Sequence, residues 1–575
     1  MCGIFALLNN DNSDEEINKS FMLGVNRGPE FSHITKINNI HFGFHRLAIN
    51  GLNSKSNQPF DIKDCILICN GEIYNFKELS KNNNIEMTTD SDCEIIIHMY
   101  KLYGIEYTLN QLDGVFAFIL YDKSIDTIFV SRDPYGVRPL YYFEDNKKYG
   151  FSSELKSIYK LTNSKNKIKT FTPGHYLTII NNEHTFIKYT GLPFTNNIFN
   201  DESINSSVEL NKSIVEKITN AVKKRVIGTT ERPIACLLSG GLDSSLIAAL
   251  VSKQLNNCEN NSNKLKTFSI GLPDSEDLKY AKIVAKHINS EHHEIILTED
   301  QFFDSIPEVI NKIESYDTTT VRASVGNYLV AKYISNNTDC KVIFNGDGAD
   351  ELMGGYLYFK NAPNQYDFDK ECRRLLKDIH TFDVLRSDKS ISSNGLEPRT
   401  PFLDREWVEF YLSIDKNYRY KTTVENSEKF IIRNAFSEIE PDLLPKEILW
   451  RTKEAFSDGV SSLTKSWYEI INEKITNKYS QNKELQEQLD MIKNNYKEFI
   501  NFNNPITLEQ CYYRYLFNND YYNCDYLIPY YWMPKFIDAN DASARTLKIY
   551  SDNNSNKIRD ETNNITSDIE NITMF

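Results

Sequence analysis

Residues 234–251 constrain this chain more than any other stretch. A short apolar run at 234–238 meets the loop Ser239-Gly240-Gly241-Leu242-Asp243-Ser244-Ser245, and a second apolar run follows at 246–251. The first run has the length and bounding of a buried strand. The second predicts a helix, with Asp243, Ser244 and Ser245 near its first turn. Strand, glycine turn and helix start together aim free backbone N–H groups and the positive end of a helix at an anion. Adjacent glycines let the backbone close on a phosphate, and three hydroxyls add donors. No lysine stands inside the loop, which separates it from the Walker type. Asp243 beside a phosphate is repulsive unless Mg²⁺ lies between them. A serine- and glycine-rich connector is the bland alternative, and the flanking runs weigh against it.

Two further stretches repeat the pattern. Residues 266–272 predict a strand ending in glycine, with a helix over 277–288. Residues 340–344 predict a third strand, ending in Asn345-Gly346-Asp347-Gly348-Ala349-Asp350-Glu351. Strands alternating with helices imply a parallel sheet, whose ligands bind outside the carboxyl ends of the strands. The three loops should therefore meet. The third is acidic where the first receives phosphate, so Asp243 and Asp350 are the candidate Mg²⁺ ligands. A solvated turn at a helix start is the alternative for Asp347, Asp350 and Glu351.

At 575 residues the chain exceeds a single core. Its net charge of −14, with no basic block to offset it, argues against nucleic-acid and membrane-surface partners. Ten scattered cysteines lack metal-type spacing and fit a reducing compartment; Cys65 and Cys69 sit in an apolar run and read as core. Residues 9–20 are too polar for a signal peptide, and no apolar run reaches the ~20 residues that span a bilayer. The expectation is a cytoplasmic protein.

The chain opens Met1-Cys2-Gly3-Ile4-Phe5-Ala6-Leu7-Leu8. Removal of Met1 would leave Cys2 with a free α-amine, whose pKa near ~8 suits a base acting on its own thiol. From Cys2 alone, a buried strand cysteine is the simpler alternative. Residues 44–49 are strand-like and hold Arg46, a bidentate clamp for a carboxylate. The run 65–69 leads into Asn70-Gly71-Glu72-Ile73-Tyr74-Asn75, where an amide side chain and a glycine N–H offer an oxyanion hole. Residues 88–94 precede a helix over 94–101; Asp90 or Ser91 suits its N-cap, and Asp92 is a candidate partner for a substrate ammonium. Residues 114–120 and 127–130 predict paired strands.

In this order Cys2-Gly3-Ile4, Arg27-Gly28-Pro29, His45-Arg46-Leu47, Asn70 to Asn75 and Asp133-Pro134-Tyr135-Gly136-Val137-Arg138-Pro139-Leu140 resemble the class II glutamine amidotransferase domain, an N-terminal nucleophile hydrolase. The resemblance implies an αββα glutaminase domain over 1–190. In it Cys2 attacks the glutamine amide and Asn70 and Gly71 stabilise the oxyanion. Glutamine is held by Arg46, Leu47, Ala48, Ile49, Asn50, Asn70, Gly71, Glu72 and Asp92. Glu30 stands where that family more often has Asp, and Asn26 where His is usual.

The 239–245 loop resembles the pyrophosphate loop of ATP-pyrophosphatase enzymes. Together with Phe268 to Leu272, Asn345 to Glu351, Leu396 to Asp404, Leu449 to Gly459, Tyr531 to Lys535 and Ala542 to Leu547 it is similar to glutamine-hydrolysing asparagine synthetases. The implied fold combines α/β and α+β parts: a parallel-sheet domain over 207–550 with a helical carboxyl-terminal part. A linker is expected at 191–206 and a disordered Asn-rich tail at 551–575. ATP is expected on Leu238, Ser239, Gly240, Gly241, Leu242, Asp243, Ser244, Ser245, Ile270, Asn345 and Gly346. Lys453 is the expected catalytic cation, Asp347 and Arg322 contact an aspartyl-adenylate, and Asp243 and Asp350 hold Mg²⁺. Asp347 replaces the family's frequent Glu, one methylene longer. The implied reaction makes asparagine from aspartate, ATP and glutamine, with AMP, pyrophosphate and glutamate as co-products and a homodimer as the expected assembly. A β-lactam synthetase-like ligase on the same frame and a non-catalytic regulatory homologue are the competing readings.

Overall fold

The computed structural model describes residues 1–191, 207–228, 231–257, 264–420, 427–462, 464–498 and 503–547. All of the expected linker except Gly191, and the whole expected tail, lie outside these residues.

The amino-terminal part holds strands β1 (Gly3–Leu8), β2 (Phe31–Ile37), β3 (Ile40–Arg46), β4 (Phe60–Ile62), β5 (Cys65–Ile73) and β6 (Gly114–Asp122). These are followed by β7 (Thr127–Arg132), β8 (Tyr141–Asp145), β9 (Lys148–Ser152), β10 (Ile168–Thr170), β11 (His175–Ile180) and β12 (Glu183–Lys188). They form two antiparallel six-stranded sheets, ordered β10-β8-β9-β1-β3-β2 and β12-β11-β7-β6-β5-β4. The period-two alternation of each strand explains the layering. Ile66 and Ile68 of β5 face Ile4, Ala6, Phe42 and Phe44 of the other sheet. Cys65, Leu67 and Cys69 face the opposite way, under the helix Ile95–Tyr103. Phe5 and Leu7 of β1 likewise pack against Ile17 and Phe21 of the helix Asp14–Met22. Both faces of both sheets are covered, which is why the central strands are continuously apolar. The result is four layers, helix–sheet–sheet–helix.

Two details differ from expectation. β3 starts earlier and ends at Arg46, so Leu47, Ala48 and Ile49 leave the sheet as a loop. β2, a half-exposed edge strand with a polar sequence, carries no hydrophobic signal that could announce it.

The second part is built on a parallel sheet of β13 (Ile234–Leu237), β14 (Lys266–Gly271), β15 (Glu291–Ile296), β16 (Val342–Phe344) and β17 (Glu397–Arg399). Its order is β15-β14-β13-β16-β17, with β13 at the centre and the chain reversing direction of travel on either side of it. That reversal opens a crevice at the carboxyl ends of β13 and β16. The edge strands β15 and β17 escaped prediction because one is rich in His and Glu and the other is Glu397-Pro398-Arg399. Proline is tolerated on such an edge. The carboxyl-terminal part is helical; Trp467–Gln481 and Leu508–Tyr521 share a core with the helices Ile306–Ile313 and Thr318–Asn337.

The two parts also share a core. Leu47, Ile49, Val115, Tyr135 and Val137 join a cluster with Ile214, Ile218, Val222, Phe402 and Trp407. Buried ion pairs cross the same junction, from Arg27 to Asp388 at 2.8 Å and from Arg138 to Asp388 at 3.4 Å. Among the described residues no helix is long and apolar enough to cross a membrane.

Candidate active sites

The first site lies where β1, β5 and the loop after β3 converge. Met1 precedes Cys2, so the Cys2 nitrogen is a peptide N–H; it donates to Asn70 Oδ1 at 3.1 Å. The Cys2 thiol points at the Leu47 carbonyl at 3.7 Å. Burial pushes that thiol up to about 11, against the pull of the nearby α-ammonium. The Met1 ammonium is itself buried and pairs with Glu397 at 3.1 Å. Asn70 is fully buried, and its Nδ2 donates weakly to Ser153 Oγ at 3.5 Å. Gly71 sits where a Cβ would lie 2.4 Å from the Val115 carbonyl oxygen, so β5 and β6 meet only over a glycine.

Arg46 is enclosed by the loop that follows it. Its Nη1 donates to Asn53 O at 2.9 Å and Asn57 Oδ1 at 2.6 Å, and its Nη2 donates to the carbonyls of Asn50 and Gly51. A substrate carboxylate would have to displace some of these acceptors. Asp92 is buried and accepts the Ile73 N–H at 2.7 Å. Burial pushes its carboxyl up to about 6 despite that bond. Ser91 takes the cap, accepting from the Cys93 N–H at 3.3 Å. Glu72 accepts from Asn50 Nδ2 at 2.9 Å and pairs with Arg399 of β17 at 3.3 Å. Burial, with Glu397 and Asp92 nearby, raises the Glu72 carboxyl well above the usual range. Of the expected glutamine-binding residues, Leu47 and Asn70 contact Cys2 directly, and the charged groups of Arg46, Glu72 and Asp92 are engaged with protein.

The second site is a cleft of about 160 Å³ at the carboxyl ends of β13, β14 and β16. Leu237, Leu238, Phe268, Ile270, Ala323 and Val330 form an apolar end; Ser239, Gly241, Asp243, Ser244, Asn345, Gly346, Asp347, Asp350 and Lys453 form a polar one. The loop after β13 is held by its own hydroxyls: Ser244 Oγ accepts the Ser239 N–H at 3.1 Å and lies 2.9 Å from Ser239 Oγ. The helix Leu242–Asn256 starts directly at Gly241, which is its N-cap. Gly346 approaches so closely that a Cβ there would lie 2.8 Å from Asp243.

Three expected loop residues do not line the cleft. Gly240 has φ of +71° and backs onto Tyr280, where a Cβ would come within 2.4 Å of backbone, so it makes the turn. Leu242 and Ser245 point inward from the first helical turn, Leu242 into the apolar core. Arg322 is corrected more fully. Its guanidinium bonds Glu509 at 2.9 Å and 2.5 Å, and Asp541 at 2.7 Å and 2.9 Å. It ties the helix Thr318–Asn337 to the carboxyl-terminal segment with four of its five N–H donors and does not line the cleft, while Thr319 and Ala323 of the same helix do.

Residues missed from sequence set the charge of the polar end: Arg386 lines it, and Lys429, buried outside the lining, pairs with its carboxylates. Lys429 donates to both oxygens of Asp243, at 2.6 Å and 2.5 Å, and pairs with Asp350 at 2.5 Å. Lys453 pairs with Asp350 at 2.6 Å and reaches Asp243 at 3.5 Å. The two lysines hold the Asp350 carboxyl far below its usual range against the opposing effect of burial. Lys429 is buried and lies in the left-handed region at φ of +55°, a strained conformation for a lysine. Arg386 is the guanidinium that does face the cleft; it pairs with Asp347 at 3.1 Å and with Asp383. Burial, opposed by Arg386 and reinforced by Asp347, pushes the Asp383 carboxyl up to about 6. No local motif marks Lys429 or Arg386, and only folding brings them to the loop ends.

Asp243 and Asp350 offer only oxygen donors and converge on shared cations. That donor set suits a hard divalent ion carrying phosphate oxygens as its remaining ligands. Among the described residues no group of three or more His, Cys, Asp or Glu side chains could hold a metal by itself, so substrate would have to complete such a site.

A family model described as a glutamine amidotransferase domain matches residues 1–194, and one described as asparagine synthase matches 213–367 and 360–491. The asparagine synthetase [glutamine-hydrolyzing] of Gallus gallus is 41% identical over 574 residues, covering 96% of this chain and 99% of its own. The Homo sapiens protein of that name is 41% identical over 578 residues and the Bos taurus one 40% over 580, each with the same coverage.

Proposed function

The chain belongs to the family of glutamine-hydrolysing asparagine synthetases, and on that premise we propose that its amino-terminal site releases ammonia from glutamine for use in the cleft of its parallel-sheet part. After loss of Met1 the Cys2 nitrogen becomes an amine. Asn70 Oδ1, already its acceptor, then orients the amine's lone pair toward its own thiol. The thiolate attacks the glutamine amide carbon, forming a thioester as the C–N bond breaks, and water then cleaves that thioester to release glutamate and restore the thiol. Asn70 Nδ2 and the Gly71 N–H stabilise the oxyanion, and the amine returns the proton to departing ammonia. Arg46 exchanges loop carbonyls for the α-carboxylate, and Asp92 takes the α-ammonium.

In the cleft, ATP lays its base on Leu238 and Ile270 and its β- and γ-phosphates on the 239–245 loop. The aspartate β-carboxylate attacks the α-phosphorus and pyrophosphate departs. Ammonia then displaces AMP from the acyl carbon to give asparagine. Activation is needed because a free carboxylate is a poor electrophile. Lys453 and Lys429 neutralise charge growing on the leaving pyrophosphate. Asp243 and Asp350 would hold Mg²⁺, which supplies further charge neutralisation when bound. Arg386, flanked by Asp347 and Asp383, offers one cation and two anions to the α-carboxylate and α-ammonium of aspartate.

The observation that supports this reading most is the gathering of the anion loop, two carboxylates and the Lys453 ammonium in one cleft, with the buried Lys429 paired to both carboxylates. The test is incubation with ATP, Mg²⁺, aspartate and glutamine, with every product identified. Asparagine, glutamate, AMP and pyrophosphate are expected; ADP, or pyrophosphate release that ignores aspartate, would sink the proposal.

A further inference from the structure

We infer that Glu231 and Arg232, which lead into β13 of the second part, are positioning residues for the glutamine loop of the first. The inference rests on the proposed role of Arg46 and the residues after it as the glutamine clamp. Glu231 accepts the Gly51 N–H at 2.8 Å on one oxygen and the Leu52 N–H at 3.3 Å on the other. Arg232 donates from Nε to the Ala48 carbonyl at 2.8 Å and from Nη2 to Glu30 at 2.8 Å. Glu30 in turn accepts the Ala48 N–H at 2.7 Å, so Ala48 is held on both its backbone groups.

Gly51 is the pivot of this arrangement. Its N–H goes to Glu231, from the second part, and its carbonyl goes to Arg46, from the first. It sits at φ of +62°, and a Cβ there would lie 2.3 Å from Ser56 Oγ, so the position admits only glycine. When a carboxylate binds Arg46, the guanidinium must release loop carbonyls, and the loop loses that anchor at the moment it is needed. Glu231 and Arg232 grip the same loop through groups the substrate does not compete for. They therefore keep residues 48–52 in place while Arg46 changes partners. The loop thus draws its order from a neighbouring domain as well as from its own.

The experiment uses the full chain and compares glutamate release from glutamine with asparagine formation from added ammonia. Two hydrogen bonds to a carboxylate, weakened by partial exposure, set the scale of the effect. Glu231→Ala should raise the KM for glutamine about fivefold to tenfold with kcat changed less than about twofold, and should leave the ammonia-dependent rate and the melting temperature as they were. Arg232→Ala should act in the same direction. Glu231→Gln, which keeps one acceptor oxygen, should recover part of the loss. Unchanged glutamine KM in both alanine variants would overturn the inference. So would a parallel fall in the glutamine- and ammonia-dependent rates, which would mark general support of the domain junction. Absence of glutamate release by the wild-type chain would remove the glutamine assignment itself, and this inference with it.

Discussion

The two sites differ in how their charges are balanced. Around Cys2, the candidate groups are satisfied locally: Arg46 by loop oxygens, Asp92 by the Ile73 N–H, Asn70 by the Cys2 N–H. In the parallel-sheet cleft, charges pair in direct contact and mostly between distant segments, Lys429 and Lys453 with Asp243 and Asp350, Arg386 with Asp347 and with Asp383 of its own helix. The first arrangement is a closed site that glutamine must open by exchanging hydrogen bonds. The second is a set of charges gathered in advance, where a bound cation would take over carboxylate oxygens that the two lysines now hold. The difference follows from origin: the first site is cut mainly from neighbouring strands of the sandwich, with Glu397, Arg399 and Glu231 of the second part bracing it, and the second from loops at the ends of several parallel strands.

The largest effect that would break this comparison concerns Cys2. Cys2→Ala should lower glutamine-dependent synthesis by about 10³-fold or more, with ammonia-dependent synthesis retained, because the cleft does not use the thiol. Equal loss of both rates would show that the two sites do not act separately. Next comes Arg322. Its removal leaves Glu509 and Asp541 without their cation, and breaking a buried pair of this kind costs about 3–5 kcal/mol. Arg322→Ala should therefore lower chemical-denaturation stability by about that amount. Wild-type stability with lost pyrophosphate release would instead return Arg322 to the cleft. The smallest effect is the pH response of Asp92. Burial pushes its carboxyl up to about 6, and a protonated carboxyl cannot hold an ammonium. The KM for glutamine should rise as pH falls below about 6, at a limiting slope of about tenfold per unit, and Asp92→Asn should flatten the profile. The stability sign is opposite: with a raised value, the protonated residue favours the folded state at low pH, a contribution lost as pH rises through about 6.

Much of the fold was legible because buried elements write themselves in apolar residues. β13, β14 and β16 are the central strands of the parallel sheet, and each was readable as an apolar run ending in glycine or Asn-Gly. β2, β15 and β17 lie at sheet edges, where one side meets solvent or another chain segment, and their sequences are polar. Among site residues, Ser239, Asp243, Ser244, Asp350 and Lys453 could be nominated because each belongs to a compact motif. Lys429 and Arg386 belong to none. Arg322 was nominated through the family resemblance, yet its partners are Glu509 and Asp541, which no local pattern could announce.

By itself, then, the sequence determined the chemical vocabulary: an amino-terminal thiol, an anion-binding loop without a Walker lysine, an acidic counterpart, and central strands to carry them. These are local properties, set by residue type and by spacing along the chain. Tertiary structure alone decided which charges meet. It put Lys429 between Asp243 and Asp350, turned Arg322 away from the cleft and Arg386 into it, and joined Gly51 to Glu231 across the domain junction. The physical reason is that a charge in a folded chain is balanced by whatever lies within a few ångströms, and that is fixed by packing rather than by distance along the sequence.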